Sequence, residues 1–491
     1  MLLSISIPCY SNNLLDNRNV LSLKSEADDS WSRILIQNEN LKNPDMYLMN
    51  GDIIILGGTS DFPNYLRFAD YDIYVAKYNT NGLNLWDYRL EHELYVEYKG
   101  FVVDSENNIY VSILVADSSS FSYSGKIMLL KLDQNGEQLF VKYVEEFPNC
   151  NIDSMIIDLN DSIYMTGIDY QSSNDYLLKI DSNGNFINSI FLNDTATDHE
   201  LFIDDYNNLY VSGSPFRDYN DPSGSGSPLY KFNSTGSLLW KSELENSKDS
   251  FRFLNTDEQE NVLAEFYQYY SINSTYNLYL VKLNSTGEIN HEMKILSDNT
   301  DLYDVYIWNI NIWYLNSTYL FYHIGNDVGV ETYLINYDYN CNLKWNVSIQ
   351  YYVNPKILSY YQRIKSTYDS NGSIYLVYNL RVGDIAFLQL NKFGEVTSHF
   401  YWGGSNDDKY SEIIIDSQDN FYLITVCEYV NIWNVYKDIS IFIKNPLSGG
   451  YPPSLEEFDI NMIFVISSLG VSSIFSIIIT MEIHRKYRKK E

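Results

Sequence analysis

The chain has 491 residues, with 64 Asp and Glu against 33 Lys and Arg, a formal net charge of −31 and a pI near 4.4. Because nucleic acid binding depends on Lys and Arg that neutralise phosphates, this balance argues against a nucleic acid partner. Four Cys lie far apart and include no Cys-x-x-Cys pair, so they predict neither a zinc site nor a dense disulfide framework.

Residues 1–30 precede any repeat and are predicted to be an N-terminal segment, either the remnant of a secretion signal or disordered. Met1–Pro8 is apolar but short, and no Lys or Arg precedes it. It therefore matches a secretion signal poorly. Two interpretations stay open: the start is truncated, or a C-terminal helix directs membrane insertion.

Residues 31–445 contain a unit of about fifty residues that occurs eight times. Its first part is an apolar strand, an Asp-x-x-x-Asn-like turn and a strand such as Ile-Tyr-Val-Ser, as in Asp104–Ser112 and Asp158–Gly167. Its second part is a strand ending in Lys, a Gly turn and often a Trp. Equivalent positions, spaced by 48 to 55 residues, are Lys77, Lys131, Lys179, Lys231, Lys282, Asn336, Gln389 and Lys444. This period indicates a modular repeat architecture.

Each unit reads as four short strands, because β-branched and aromatic residues alternate with turns rich in Asn, Asp and Gly. Four antiparallel strands per unit predict an all-β chain folded as a single β-propeller of eight blades. Seven blades stay open, since the units near residues 255 and 310 are degenerate. Trp86, Trp240 and Trp345 occupy one position of the unit, and we expect them to pack between blades.

The two ends of the repeat region are complementary. The last unit stops at Lys444–Pro446 without its Trp strand, and the first begins with an orphan strand, Trp31–Ile36. Pairing Trp31–Ile36 with Ile439–Lys444 would close the ring and remove two free sheet edges.

The units resemble the SBBP-type β-propeller repeat family of bacterial and archaeal surface proteins. The best match runs from Trp402 through Gly403 and Gly404 to the Asp416–Tyr422 turn, and Ile55–Thr59 is a partial match. The Gly and Trp features also resemble the quinoprotein-like propellers. The resemblance implies a surface or secreted propeller and little about its activity.

The C-terminal part predicts a membrane anchor. Residues 446–460 are a Pro- and Gly-rich linker, 461–481 a transmembrane helix and 482–491 a basic cytoplasmic tail. Met462–Met481 is a run of twenty residues without a charged side chain. A helix of this length can span a bilayer core of about 30 Å. The following Arg and Lys residues mark the cytoplasmic side, so the propeller is expected outside the cell.

Eight Asn-x-Ser/Thr sequons fit that extracellular location and are candidate glycosylation sites. They are Asn160, Asn193, Asn233, Asn273, Asn284, Asn316, Asn346 and Asn371.

No catalytic, metal-binding or cofactor motif is present in the sequence, so none is predicted. Two functions stay open. The preferred one is a cell-surface binding, adhesion or structural module with a protein or glycan ligand. The alternative is an ectoenzyme, a hydrolase, lyase or quinoprotein, with a site in the central funnel.

Ligand contacts are expected on the long, irregular loops, because binding residues concentrate on variable loops carried by a rigid scaffold. The predicted loops are Thr59–Tyr71, Ala116–Gly125, Ser214–Pro228, Phe266–Asn277 and Glu428–Tyr436. Their candidate binding residues are Phe62, Tyr65, Tyr219, Tyr267, Tyr269, Tyr270 and Trp433. The short turns lie on the opposite face, which we expect to point to the membrane.

Overall fold

The structure is a computed structural model. It describes residues 31–34, 40–60, 71–116, 125–192, 197–214, 226–242, 249–270, 275–295, 305–308, 317–326, 329–338, 340–348, 364–379, 385–402, 408–430 and 436–444. These residues form eight four-stranded antiparallel sheets, called sheets 1 to 8 below in chain order.

The first four sheets are built from consecutive strands. Sheet 1 contains β2 (Asn40–Met49), β3 (Asp52–Ser60), β4 (Tyr71–Tyr78) and β5 (Asn84–Leu90). Sheet 2 contains β6 (Tyr95–Val103), β7 (Ile109–Ala116), β8 (Lys126–Leu132) and β9 (Gln138–Tyr143). Sheet 3 contains β10 (Ser154–Ile157), β11 (Ile163–Asp169), β12 (Asn174–Ile180) and β13 (Phe186–Phe191). Sheet 4 contains β14 (Thr197–Ile203), β15 (Leu209–Ser214), β16 (Tyr230–Phe232) and β17 (Leu238–Lys241).

The other four sheets follow the same order, except that the last takes its fourth strand from the start of the chain. Sheet 5 contains β18 (Ser250–Thr256), β19 (Val262–Tyr270), β20 (Thr275–Leu283) and β21 (Ile289–Lys294). Sheet 6 contains β22 (Val305–Trp308), β23 (Ser317–Asn326), β24 (Gly329–Asp338) and β25 (Leu343–Ser348). Sheet 7 contains β26 (Ile364–Tyr368), β27 (Ile374–Asn379), β28 (Ile385–Leu390) and β29 (Val396–Trp402). Sheet 8 contains β30 (Asp408–Ile415), β31 (Phe421–Val430), β32 (Tyr436–Lys444) and β1 (Trp31–Ile34).

Burial identifies the inner and outer strands of each sheet. In sheet 2 every residue of the second strand β7 is buried, whereas the fourth strand β9 is exposed or half-buried. The first strands pack against neighbouring sheets; β2 contacts β30, and β10 contacts both β6 and β14. The first strands therefore surround a common axis and the fourth strands form the outer edge, as in a β-propeller.

Apolar packing joins consecutive sheets. One core cluster contains residues of sheets 1 and 2, and others join sheets 2 and 3, 3 and 4, 4 and 5, and 5 and 6. Tyr422 and Ile424 of sheet 8 pack with Ile53 and Ile55 of sheet 1. These sheets thus bury their faces against one another, and the protein is an all-β propeller of four-stranded antiparallel sheets.

The predicted closure between the chain ends is confirmed for Trp31–Ile34. β1 pairs antiparallel with β32, and Trp31 lies opposite Lys444. Trp86 lies opposite Lys77 in sheet 1 in the same way, so Trp31 fills the Trp position that the last repeat lacks. The first strand of the chain completes the last sheet because that sheet would otherwise end in a free edge.

No helix in the described ranges is long and apolar enough to cross a membrane. The predicted linker 446–460, transmembrane helix 461–481 and tail 482–491 all lie outside the described residues, as does the N-terminal segment 1–30.

Candidate functional site at the propeller axis

The repeated Asp, Tyr and Lys residues form a structural network, and sheet 2 shows its geometry. Asp104 Oδ1 accepts hydrogen bonds from the backbone N–H groups of Glu106 and Asn108, at 3.0 and 2.8 Å. Asp104 Oδ2 accepts from Asn108 Nδ2 and Tyr110 Oη, and Lys131 Nζ lies 3.2 Å away. Burial alone would raise the pKa of Asp104, but the hydrogen bonds from Asn108 and Lys131 outweigh it and hold that pKa below its usual range. The carboxylate therefore ties the turn to the second and third strands.

The same side chains also bridge consecutive sheets. The Tyr110 hydroxyl donates to the Ser182 carbonyl of sheet 3 at 2.8 Å, and the Tyr164 hydroxyl donates to the Ser234 carbonyl of sheet 4 at 3.3 Å. These contacts account for the repeated residues as elements of the scaffold. A ligand site is therefore expected where a sheet departs from the repeat.

The predicted packing of Trp residues between sheets is confirmed. Trp240 Nε1 donates to the Ser285 carbonyl of the next sheet at 2.9 Å, and its ring covers Gly287. Trp86 and Trp345 make the corresponding hydrogen bonds to Gln134 and Lys392. These indoles therefore contribute to the packing of consecutive sheets.

The clearest departure from the repeat lies in sheet 5. The fourth residue of the second strand is a small hydroxyl residue in sheets 2, 3 and 4, namely Ser112, Thr166 and Ser212, all fully buried. In sheet 5 this position is Glu265, which is also 0% exposed. Its partner across β18 is Arg252. A buried carboxyl opposite Arg252 thus stands where sheets 2, 3 and 4 have Ser or Thr and where sheets 7 and 8 have Val377 and Ile424.

Arg252 joins two sheets at this point. Its Nη2 donates to Glu200 Oε1 of sheet 4 at 3.0 Å. The Tyr267 hydroxyl donates to Glu265 Oε2 at 2.9 Å. Glu200, Arg252, Glu265 and Tyr267 are called the Arg252 cluster below. The side chains of Arg252 and Glu200 are 21% and 40% exposed, so the cluster extends from the buried Glu265 toward the axis.

Burial and neighbouring charges both shift the pKa values of the Arg252 cluster. Burial raises the pKa of the Glu265 carboxyl above its ordinary value, while Arg252 and the Tyr267 hydroxyl act in the opposite direction. Burial also raises the pKa of Tyr267 well above 10, and Glu265 raises it further. For Arg252, the nearby Glu200 and Glu265 outweigh burial and raise its pKa. Arg252 is therefore a permanent cation, and burial makes the ionised form of Glu265 costly.

A second group of ionisable side chains comes from the first strands of sheets 7, 8, 1 and 2. Lys365 Nζ lies 2.5 Å from Glu412 Oε2, and the Tyr98 hydroxyl donates to Asp45 Oδ2 at 2.5 Å. These four residues are called the Asp45 cluster. Burial raises the pKa of Glu412, which Lys365 opposes and Asp45 reinforces. Burial and Asp45 likewise raise the pKa of Tyr98.

The two clusters lie at one level of the axis. Glu200, Arg252, Lys365 and Glu412 each pair with the fourth residue of their second strand. An aromatic surface adjoins the Asp45 cluster, because Tyr47 is 42% exposed and its ring lies 5.9 Å from that of Phe101 on the neighbouring first strand. The axial wall therefore offers cations, carboxylates, a phenol and an aromatic face.

Tyr267 lies in strand β19 and not in the predicted ligand loop. The expected loop Phe266–Asn277 is mostly strand, since β19 continues to Tyr270 and β20 begins at Thr275. Tyr267 is 1% exposed, so its assignment as an exposed loop residue is wrong. A run of aromatic residues without Gly or Pro extends the strand rather than ending it.

The other loop candidates are not placed together by the described residues. Tyr269 and Tyr270 lie at the end of β19. Phe62, Tyr65, Tyr219 and Trp433 lie outside the described residues, and their role in ligand binding stays a prediction.

The sequons fall into two structural groups. Asn160, Asn346 and Asn371 are exposed. Asn233 and Asn284 anchor turns; Asn284 Oδ1 accepts from the backbone N–H groups of Thr286 and Glu288, both at 3.0 Å. Asn193, Asn273 and Asn316 lie outside the described residues.

Within the described ranges, no three His, Cys, Asp or Glu side chains lie close enough to hold a metal ion.

Comparison with known proteins adds little about function. No protein-family model matches the chain, and no curated protein matches it. It is similar to the β-propeller domain of the Trilobed protease from Pyrococcus furiosus, with 11% identity, a TM-score of 0.38, and 75% of this chain and 94% of that chain covered. It is also similar to a eukaryotic initiation factor, with 11% identity, a TM-score of 0.44, and 84% of this chain and 92% of that chain covered. A third similar structure is streptogramin B lyase, with 11% identity, a TM-score of 0.37, and 71% of this chain and 97% of that chain covered. At these identities and TM-scores, the similarities assign neither a ligand nor an activity to the chain.

The charge of Glu265 leads to a prediction about pH. A carboxyl whose pKa is raised by folding stabilises the protein fully below its unfolded pKa and loses that contribution as pH rises through the folded pKa. For Glu265 the loss begins near the ordinary value of 4.5. The Glu265→Gln variant has no ionisable group at this position. The free energy of unfolding of the variant, minus that of the native protein, should therefore increase as pH rises from 4 to 7.

Urea unfolding of both proteins at pH 4, 5, 6 and 7 measures this difference. Glu106→Gln, a substitution of an exposed Glu, is the control and should show no such trend. A constant difference between Glu265→Gln and the native protein across the range would contradict the raised pKa.

Proposed function

We propose that the protein is a membrane-anchored β-propeller at the cell surface that binds an extracellular ligand at its axis. The observation that carries this proposal is the fully buried Glu265, which stands opposite Arg252 at an inner-strand position where sheets 2, 3 and 4 have Ser or Thr. A buried charge costs stability. A buried carboxyl at a position where other sheets have Ser or Thr therefore favours a functional role.

The anchor is supported by the sequence and by the position of the chain ends. Lys444 lies opposite both Trp31 and Tyr422, beside the Asp416 turn, so β32 ends on the face that carries the short turns. From there to Asn461 the chain spans at most about 55 Å at roughly 3.3 Å per residue. The face with the short turns would thus lie toward the membrane, with Met462–Met481 as the helix and Arg485–Lys490 inside the cell.

Protease treatment of intact cells that carry the full chain tests this topology. The expected result is cleavage within the propeller while an epitope placed after Glu491 stays protected. Protection of the propeller together with loss of the epitope would overturn the proposed orientation.

The repeat type and ring are also part of the proposal. We propose that the eight sheets form one closed ring of eight blades and that the repeats are of the SBBP type. Support for the ring comes from the β1–β32 pairing and from packing between sheets 8 and 1. Support for the repeat type comes from the Asp, Tyr and Lys network that explains the repeated residues.

The extracellular location would expose the sequons to glycosylation. Asn160, Asn346 and Asn371 present exposed side chains, which favours them as acceptors. Mass spectrometry of peptides from the native protein tests occupancy at each site.

An ectoenzyme is the second candidate, and the raised pKa of Glu412 favours it. Burial raises the pKa of Glu412 and the nearby Asp45 reinforces that shift, so Glu412 offers a general acid beside a second carboxyl group. Release of reducing ends from extracellular polysaccharides, lost in Glu412→Gln, would support catalysis. Binding without turnover in the native protein would support the binding module.

A further inference from the structure

The Arg252 cluster contains hydrogen-bonding groups that its own side chains do not use. Glu265 Oε1 is buried and has no hydrogen-bond partner among the described residues. Arg252 has five N–H donors, and within the described residues its recorded hydrogen bond is the one to Glu200. An unused acceptor and unused donors therefore lie on one face of sheet 5, since Arg252 and Glu265 are opposite each other across β18 and β19.

The charges limit what kind of group can fill this place. A ligand carboxylate would satisfy Arg252 but would face Glu200 and Glu265, and an ammonium group would satisfy Glu265 but would face Arg252. Either charge must be desolvated beside a like charge, which is unfavourable in a buried environment. A neutral hydroxyl can accept from the guanidinium and donate to the carboxylate at the same time.

We propose that the Arg252 cluster binds a hydroxyl group of a neutral saccharide or polyol. Arg252 donates to the hydroxyl oxygen, and the hydroxyl donates to Glu265 Oε1. The ligand enters from the axis, where Glu200 and Arg252 are partly exposed. Because Glu265 Oε1 is enclosed in the free protein, the Arg252 side chain turns aside to admit the hydroxyl, while Tyr267 holds the other oxygen of Glu265 in place. This inference rests on the proposed function, because it requires the axial wall to be the ligand site.

The stability of the fold offers a readout that separates binding from folding. Ionised Glu265 is held at a cost, and Glu265→Gln keeps an acceptor for the Tyr267 hydroxyl. The substitution should leave the melting temperature at pH 7 unchanged or higher. The substitution should nevertheless weaken binding of the ligand, because the Gln amide nitrogen cannot accept a hydrogen bond from the ligand hydroxyl. A merely structural residue would not separate these two effects.

Saturation-transfer NMR of the full chain in a detergent without a sugar headgroup tests the proposal. The probes are D-glucose, D-galactose and D-mannose, with acetate and methylammonium as charged probes. At least one sugar should bind, with an affinity at least tenfold weaker in Glu265→Gln. Arg89→Gln is the matched control, because Arg89 forms a similar ion pair with Asp72, at 2.7 Å, far from the axis, and it should bind like the native protein.

The outcomes distinguish the ligand class from the site. Binding of acetate or methylammonium alone, lost in Glu265→Gln, would overturn the saccharide assignment but leave the axial site standing. Sugar binding with unchanged affinity in Glu265→Gln would overturn both the saccharide assignment and the axial site. Absence of binding by every probe would mean that the unused groups hold a trapped water only, and would also overturn the proposal.

Discussion

Gly167→Ala is expected to lower the free energy of unfolding by about 3 kcal/mol, which is the cost of forcing an extra carbon into a closely packed site. A Cβ atom at Gly167 would lie 1.9 Å from the backbone carbonyl oxygen of Asn151. That oxygen accepts from the Tyr176 hydroxyl at 2.6 Å, and Tyr176 is the partner of Gly167 across β11 and β12. The new atom must therefore displace backbone, and it cannot be accommodated by moving a flexible side chain.

Gly236→Ala is the control for Gly167→Ala. Gly236 has a φ of +83° but no atom within 4 Å of a built Cβ, so the substitution costs only the left-handed backbone conformation, about 1 to 2 kcal/mol. Urea unfolding of both variants gives the comparison. Equal losses for the two would show that the segment at Asn151 does not pack against β11 as described.

Asp104→Ala should destabilise the protein by roughly 3 kcal/mol, the range for breaking a buried charged network by removing one partner. The substitution removes the acceptor for the N–H groups of the turn and leaves Lys131 and Tyr110 without their carboxylate. Tyr110 keeps the Ser182 carbonyl as an acceptor, so the loss falls mainly on Lys131, whose side chain is 11% exposed and is not easily solvated in place of the carboxylate.

Asp133→Ala is the matched control in the same sheet. Asp133 Oδ1 also accepts from two turn N–H groups, those of Asn135 and Glu137, both at 2.8 Å. Burial alone would raise the pKa of Asp133, but the hydrogen bonds from Glu137, Asn135 and Gly136 together outweigh it and lower that pKa. Asp133 contacts no Lys or Tyr of the inner strands in the described residues, so we expect a loss of about 1 kcal/mol. A loss as large as that of Asp104→Ala would contradict the special role of the Asp104 network.

The fold could be predicted from the sequence because its determinants are local and repeated. The Asp104–Asn108 turn and the strand that follows it are specified by neighbouring residues. The pairing of Trp31 with Lys444 could be inferred as well, although 413 positions separate them, because each supplied the part of the unit that the other lacked.

The Arg252 cluster could not be predicted in the same way. Glu200 and Arg252 lie in different repeats, 52 positions apart, and each reads as an ordinary exposed charge. Glu265 directly precedes the aromatic stretch that we predicted to be a loop. No Gly or Pro marks where β19 ends and β20 begins, so the strand ends could not be located from the sequence. The signal that was available is the alignment of the repeats, in which Glu265 takes the place of Ser112, Thr166 and Ser212. A charged residue at a buried position that has Ser or Thr in other repeats shows that sheet 5 differs from them.

The central claim is that the ligand binds at the axis and not on the loops. Hydrogen–deuterium exchange of the full chain, with and without the sugar that binds best, tests it most directly. The account predicts slower exchange in peptides that cover Thr197–Ile203 and Ser250–Thr256, the first strands that carry Glu200 and Arg252. Slower exchange confined to peptides that carry Phe62, Tyr219 or Trp433, with no change in those two strands, would contradict it.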